Sequence, residues 1–158
     1  MKEIRLTKGY VALVDDEDFE RVNQFKWSAK ECPNTVYAQR GHDGRHTMLH
    51  RFILRITDPK IKVDHWDGDG LHNWQQNLRI ATRQQNGANR KLNKNNTSGF
   101  KGVTWRKDRG KWNAFTEIKT KRIHLGYFDC PLQAACAYDM AAVKYFGNFA
   151  KCNFAICT

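Results

Sequence analysis

Residues 91–98 read Lys-Leu-Asn-Lys-Asn-Asn-Thr-Ser. A polar, Asn-rich run of this kind has the composition of a linker, with little to bury. It leaves residues 1–90 on one side and 99–158 on the other, so the 158-residue chain divides into small bodies rather than one large core. Each side must then carry its own strands, helices and turns. Strand-like and helix-like runs occur in both, which sets the expected class as α+β.

The N-terminal side falls into two parts. In 1–60, Tyr10 to Val14 is a β-rich apolar run, and Asp15 to Asp18 crowds negative charge where a helix should begin. Phe19, Val22 and Phe25 follow at helical spacing. Thr35 to Ala38 and Thr47 to His50 read as two further strands. This part is expected to be a small packed strand/helix cap with no catalytic set. Residues 61–90 carry the chemistry. Val63-Asp64-His65 ends a short strand, and Asp67, Gly68, Asp69 and Gly70 form a turn. Asn77-Leu78-Arg79-Ile80-Ala81 is a second strand. Thr82 to Gln85 has the spacing of a capping box for a helix from about Arg83 to Asn89.

Charge points to the partner. Lys and Arg exceed Asp and Glu by 27 to 16, a net charge of +11. The excess lies in the last two thirds of the chain, while residues 1–49 are neutral. A polyanion is the natural ligand of such a surface, and nucleic acid is the commonest one. No stretch is long and apolar enough to span a membrane, and the N-terminus has no signal-peptide run. An intracellular protein, in the cytoplasm of a host cell, is the expectation. The five cysteines, Cys32, Cys130, Cys136, Cys152 and Cys157, include no C-x-x-C pair. They are expected as buried free thiols rather than disulfides or zinc ligands.

The middle segment suits phosphodiester hydrolysis. Histidine can activate water at neutral pH, and hard divalent cations prefer oxygen ligands such as Asp64 and Asn86. A supporting acceptor must hold the imidazole in one tautomer, and Asn77 is placed for that, with Asn73 as its rival. Asp67 to Gly70 could also be a plain turn or a calcium loop, although the Glu that such a loop needs is missing before Asn86. His72 is expected to lie exposed in the loop. His50, in Leu49-His50-Arg51, is expected to orient DNA or to pack structurally, with packing favoured.

Asp64-His65, Asn77-Leu78 and Asn86 together resemble the HNH family of endonucleases, with their β-β-α-metal core, and most closely the homing endonucleases of phages and mobile introns. The resemblance implies that His65 is the general base and Asn77 orients it. It implies that Asp64 and Asn86 ligate a divalent metal, Mg²⁺ or else Mn²⁺, with no other small-molecule cofactor. It further implies cleavage of double-stranded DNA to a 5′-phosphate and a 3′-hydroxyl. Asn rather than His at position 86 occurs in nicking members and leaves one-strand against two-strand cutting open. The rivals are a non-enzymatic DNA-binding regulator with a decayed core and a DNA-packaging protein without sequence choice.

The C-terminal segment, 99–158, offers three strands, at Gly99 to Arg106, Lys111 to Ile118 and Arg122 to Phe128, then a helix from Pro131 to Phe146. Ala134, Ala135, Ala137, Ala141 and Ala142 keep the helix close to the sheet, and Leu132, Tyr138 and Tyr145 are expected to anchor it. Phe100-Lys101-Gly102-Val103, Gly110-Lys111-Trp112, Leu125-Gly126-Tyr127-Phe128, Ala137-Tyr138-Asp139 and Asn153-Phe154 resemble the APETALA-type, ethylene-response-factor DNA-binding domain. That resemblance implies DNA contacts from the free sheet face at Lys101, Thr104, Arg106, Phe115, Glu117, Arg122 and His124. Several of these differ from the plant residues, so the plant target sequence does not carry over.

Overall fold

The computed structural model describes residues 1–93, 95–119 and 121–155. The chain is α+β and separates into two compact units, Met1–Thr82 and Arg83–Thr158. The division falls after Thr82, ahead of the Asn-rich run.

The first unit opens on an antiparallel hairpin of β1 (Lys2–Arg5) and β2 (Val11–Val14). Helix α1 (Asp16–Asn23) follows. A three-stranded sheet comes next, β3 (Ser28–Glu31), β4 (Val36–His42) and β5 (Arg45–Met48), with β4 central. The short helix α2 (Leu49–Ile53) leads to a second hairpin, β6 (Lys62–His65) with β7 (Leu78–Ala81). Helix α2 corrects one expectation: Leu49 and His50 are helical, and the strand stops at Met48. Leu49 and Ile53, four apart, are both buried, which is the spacing of one helix face.

Residues 1–60 and the β6–β7 hairpin share one core. Leu78 is buried with Ile4, Val14, Val22, Trp27 and Leu49, and Val63 and Leu71 pack against them. The cap therefore holds the loop between β6 and β7. Leu71 O accepts from Leu13 N at 2.8 Å, and Asn73 N donates to Leu13 O at 2.7 Å. Gln75 N donates to Asp15 Oδ2 at 2.7 Å and Gln75 Nε2 to Asp18 Oδ2 at 3.0 Å. The acidic run at the start of α1 thus grips the loop; Asp15 makes no side-chain cap to its own helix. Gly70 lies so close to Tyr37 and the Val36 carbonyl that a Cβ there would come within 2.5 Å of both.

The second unit begins with α3 (Arg83–Ala88). The antiparallel sheet β8 (Val103–Arg106), β9 (Lys111–Ile118) and β10 (Lys121–Phe128) has β9 at its centre, and α4 (Pro131–Phe146) packs on one face. Ala134, Ala135, Ala141 and Ala142 are buried as the small-residue spacing requires. Tyr138 is the large anchor, whereas Leu132 and Tyr145 are exposed and Phe146 is buried instead. Gly102, at φ 72°, sits under the Tyr138 ring, where a Cβ would overlap it. Ala88 of α3 is buried with Tyr138, Ala142 and Phe146. That packing draws α3 into this unit. The end of the Asn-rich run is likewise built in: Ser98 Oγ donates to Phe100 O at 2.9 Å and to Val103 O at 2.8 Å. The four described cysteines are free thiols, as expected, but none is buried. Cys32, Cys130 and Cys152 are half-buried and Cys136 is exposed, all as free thiols; Cys157 lies outside the described residues.

Candidate active site and nucleic-acid interface

Asp64 and His65 stand at the end of β6, and both are buried, at 4% and 5% exposure. Adjacent strand residues point to opposite sides, and the two take different partners. Asp64 faces its cross-strand neighbour Arg79, whose Nε donates to Asp64 Oδ2 at 2.8 Å. The guanidinium neutralises a carboxylate that would otherwise be costly to bury. His65 turns towards the loop and α2. Its Nε2 lies 3.4 Å from Asn73 Oδ1. The His50 ring stands edge-on at 5.1 Å between centroids, and Tyr37 lies at 5.8 Å.

Asn73 and Asn77, the two candidates for holding the imidazole, take different partners. Asn73 is fully buried, and its amide oxygen can only accept. In that contact Nε2 of His65 carries the hydrogen and Nδ1 the lone pair. Asn77 instead closes the loop. Its amide donates to Asp67 Oδ1 at 3.1 Å and to His72 O at 2.9 Å, and its oxygen accepts from Asp67 N at 3.1 Å. Asn77 is thus next to His65 through the backbone only, with Trp66 N donating to Asn77 O at 2.9 Å. His72 is half-buried rather than exposed in that loop, and its Nδ1 lies 2.6 Å from Asp67 Oδ2. Asn86 lies in α3, in the second unit.

Burial pushes the His65 imidazole below its ordinary range; the Asn73 contact and the charges of Asp67, Asp64 and Asp69 oppose it. His50 is pushed further, to about 3, by burial, then by His65 and Arg51. Both rings are therefore neutral at physiological pH. Among the described residues no three His, Cys, Asp or Glu gather as a metal cluster. Asp64 offers a carboxylate oxygen, a hard donor of the kind that suits Mg²⁺ or Mn²⁺ better than zinc.

In the second unit the register decides which residues share the face opposite α4. Val103 and Ala114 pair and are both buried towards the helix. Thr104 and Arg106, paired with Asn113 and Lys111, therefore face away from it, as do Phe115, Glu117, Arg122 and His124. Six of the seven residues proposed for DNA contact lie on this one face. Arg122 lies 4.1 Å over the Phe115 ring and pairs with Glu117 at 3.0 Å, while Arg106 pairs with Asp108 at 2.9 Å. Lys101 is the exception. It precedes β8, and its ammonium donates to Ala88 O and, at 2.8 Å, to Arg90 O. Burial, then Lys151, lowers it to about 8. It fastens the end of α3 instead of facing a phosphate.

Comparison with known proteins agrees with both halves. An uncharacterized HNH endonuclease of Acanthamoeba polyphaga mimivirus is 32% identical over 92% of this chain and 76% of its own length. The chain belongs to the HNH endonuclease family. The AP2 domain model matches residues 98–148. Protein 3.8 of Escherichia phage T7 is 40% identical over 38% of this chain and 50% of its own length. APETALA2-like protein 2 of Oryza sativa is 38% identical over 86% of this chain but only 33% of its own length. The HNH relationship points to a nuclease and the AP2 domain to DNA binding. No helix among the described residues is long and apolar enough to cross a membrane.

Within this HNH protein, sequence reasoning undervalued Asn73, whose buried amide makes the contact to His65 that was expected of Asn77. His50 packs, as was favoured: helix α2 buries it with Leu49 and Ile53, and its ring stands against His65 and Tyr37. His50 also sets an acid limit on stability. Its folded pKa lies below the unfolded value, so below about pH 6.5 the unfolded chain takes up a proton that the native chain refuses. His50 should therefore cost about 2 kcal/mol of stability between pH 7 and pH 5, with His65 adding in the same direction. Urea unfolding at the two pH values, with His50→Gln beside the wild type, checks this. Equal acid loss in both would show that His50 is not the cause.

Proposed function

We propose that this protein is a metal-dependent endonuclease for double-stranded DNA, of the free-standing phage-type homing kind. Nδ1 of His65 takes a proton from the attacking water, and Asn73 holds the ring in the tautomer that leaves Nδ1 basic. Asn77 keeps the Asp67–His72 loop closed beside it. Asp64 and Asn86 are the oxygen ligands for a divalent cation, Mg²⁺ before Mn²⁺. When bound, the cation offsets charge on the phosphate and on the leaving oxygen. Arg79 keeps the Asp64 carboxylate oriented. The products are a 5′-phosphate and a 3′-hydroxyl. Thr104, Arg106, Phe115, Glu117, Arg122 and His124 face the duplex from the AP2 sheet. The observation that carries this reading is the buried His65, fixed by Asn73 and next in sequence to Asp64.

Supercoiled-plasmid nicking with Mg²⁺ and with EDTA tests it. Cleavage should require the cation, and Asp64→Asn should raise the Mg²⁺ needed by at least about tenfold while DNA binding persists. Duplex binding without nicking at any Mg²⁺ or Mn²⁺ concentration would favour a DNA-binding regulator with a decayed core.

A further inference from the structure

Arg40 occupies an unusual place in β4. It follows Val36 and Ala38 on the strand face that points to the core, and Ala38 is fully buried. An apolar side chain is the ordinary continuation of such a row. Here a guanidinium lies 3.8 Å over Phe25, 5.1 Å from Phe52 and 5.7 Å from Trp27. Its buried Nε has no hydrogen-bond partner among the described residues. Arg21 makes the contrast: it also lies over Phe52, at 4.9 Å, but Asp18, Phe52 O and Ile53 O take its donors. Among the described residues the ion pairs of this unit involve the N-terminus, Lys8, Arg21, His42, His72 and Arg79, and none involves Arg40.

Beside Arg40 is a cleft of about 340 Å³ lined by Phe25, Lys26, Arg40, Gly41 and His42. Two permanent cations and an imidazole border it, Phe25 offers a partly exposed ring, and no lining residue is acidic. Asp43, next along the chain, is paired with His42 at 3.0 Å. A planar guanidinium held on aromatic faces is ordered before its ligand arrives, so little freedom is lost when its donors meet two oxygens of one phosphate.

We propose that this cleft binds a backbone phosphate of duplex DNA, a contact made by the first unit with residues distinct from the hydrolytic set and from the AP2 sheet face. It rests on the reading that the protein binds DNA and is independent of whether it cleaves. Arg40 supplies the fork, Lys26 a second charge, and Gly41 leaves the backbone open to close approach.

The test is binding of the full chain to a labelled duplex in EDTA, where no cleavage enters, over 50–200 mM salt. Lys26→Gln changes an exposed side chain, and Arg40→Met keeps an apolar stem on the aromatic rings. Each should make log K against log [salt] shallower by about 0.9, so the wild type loses about 3.5-fold more affinity than either variant across that range. Lys144→Gln, an exposed change on α4 outside the cleft, should keep the wild-type slope. Wild-type slopes in Lys26→Gln and in a folded Arg40→Met would overturn the proposal. If Arg40→Met does not fold, an unchanged slope in Lys26→Gln alone overturns it. No duplex binding by the wild type would overturn it together with the DNA-binding reading, whereas binding without cleavage would leave it standing.

Discussion

His65→Ala should slow DNA cleavage by about 10²–10⁴-fold, the usual loss when a general base is removed. Duplex affinity should hold, because a neutral ring contributes no charge to phosphate binding. The pH profile of the wild type gives a second reading. The base works as neutral imidazole, and burial holds its pKa below the ordinary value. Cleavage by the free enzyme should therefore stay near its plateau as pH falls through 6.5, and decline only below it. Asn73→Ala removes a contact that opposes this depression and frees the ring to rotate. Its rate should fall at every pH, with the acid limb moving further down. A His65→Ala protein that nicks plasmid near the wild-type rate, or a wild-type limb above 6.5, would remove His65 from this role.

The hairpin was legible because its chemistry is local. Asp64, His65 and Asn77 sit within one strand–loop–strand unit, and the Asp-Gly loop is written in its composition. The AP2 sheet was legible for the same reason: two-residue alternation placed Thr104, Arg106, Phe115, Glu117, Arg122 and His124 on one face without knowledge of the rest. The contacts that escaped are distant in sequence. Asn73 and Asn77 both flank the loop, and only the 2.7 Å bond from Asn73 N to Leu13 O shows which one is turned under it. The acidic stretch at the start of α1 satisfied a helix-dipole argument so well that its bonds to Gln75, some sixty residues on, had no sequence signature. Met48 continues a strand pattern, and nothing in the local residues says that the chain turns helical at Leu49. Lys101 belongs to a basic, aromatic strand start, yet its ammonium ends on carbonyls of residues 88 and 90.

That last contact changes what a truncation should do. Residues 1–95 contain Asp64, His65, Asn77 and Asn86, and the Asn-rich run suggests that the fragment could act alone. Helix α3, however, has six residues, too few to be stable in water without packing. Its buried residue Ala88 lies against Tyr138, Ala142 and Phe146, and its last carbonyl is held by Lys101. All four partners lie beyond residue 95. Deleting residues 96–158 should leave the 1–82 core folded, because its apolar cluster draws only on residues up to Leu78. It should also melt α3 and free Asn86. The fragment should then lose nearly all nicking, including unspecific nicking at low salt, although every proposed catalytic side chain is still present. By contrast, Arg106→Gln with Arg122→Gln in the full chain leaves α3 packed; it should weaken duplex binding and flatten its salt dependence while retaining slow unspecific cleavage. Circular dichroism and plasmid nicking on the two proteins separate the cases. A folded 1–95 fragment that nicks as fast as the double variant would mean that α3 does not depend on the AP2 domain, and that cutting and reading are independent after all.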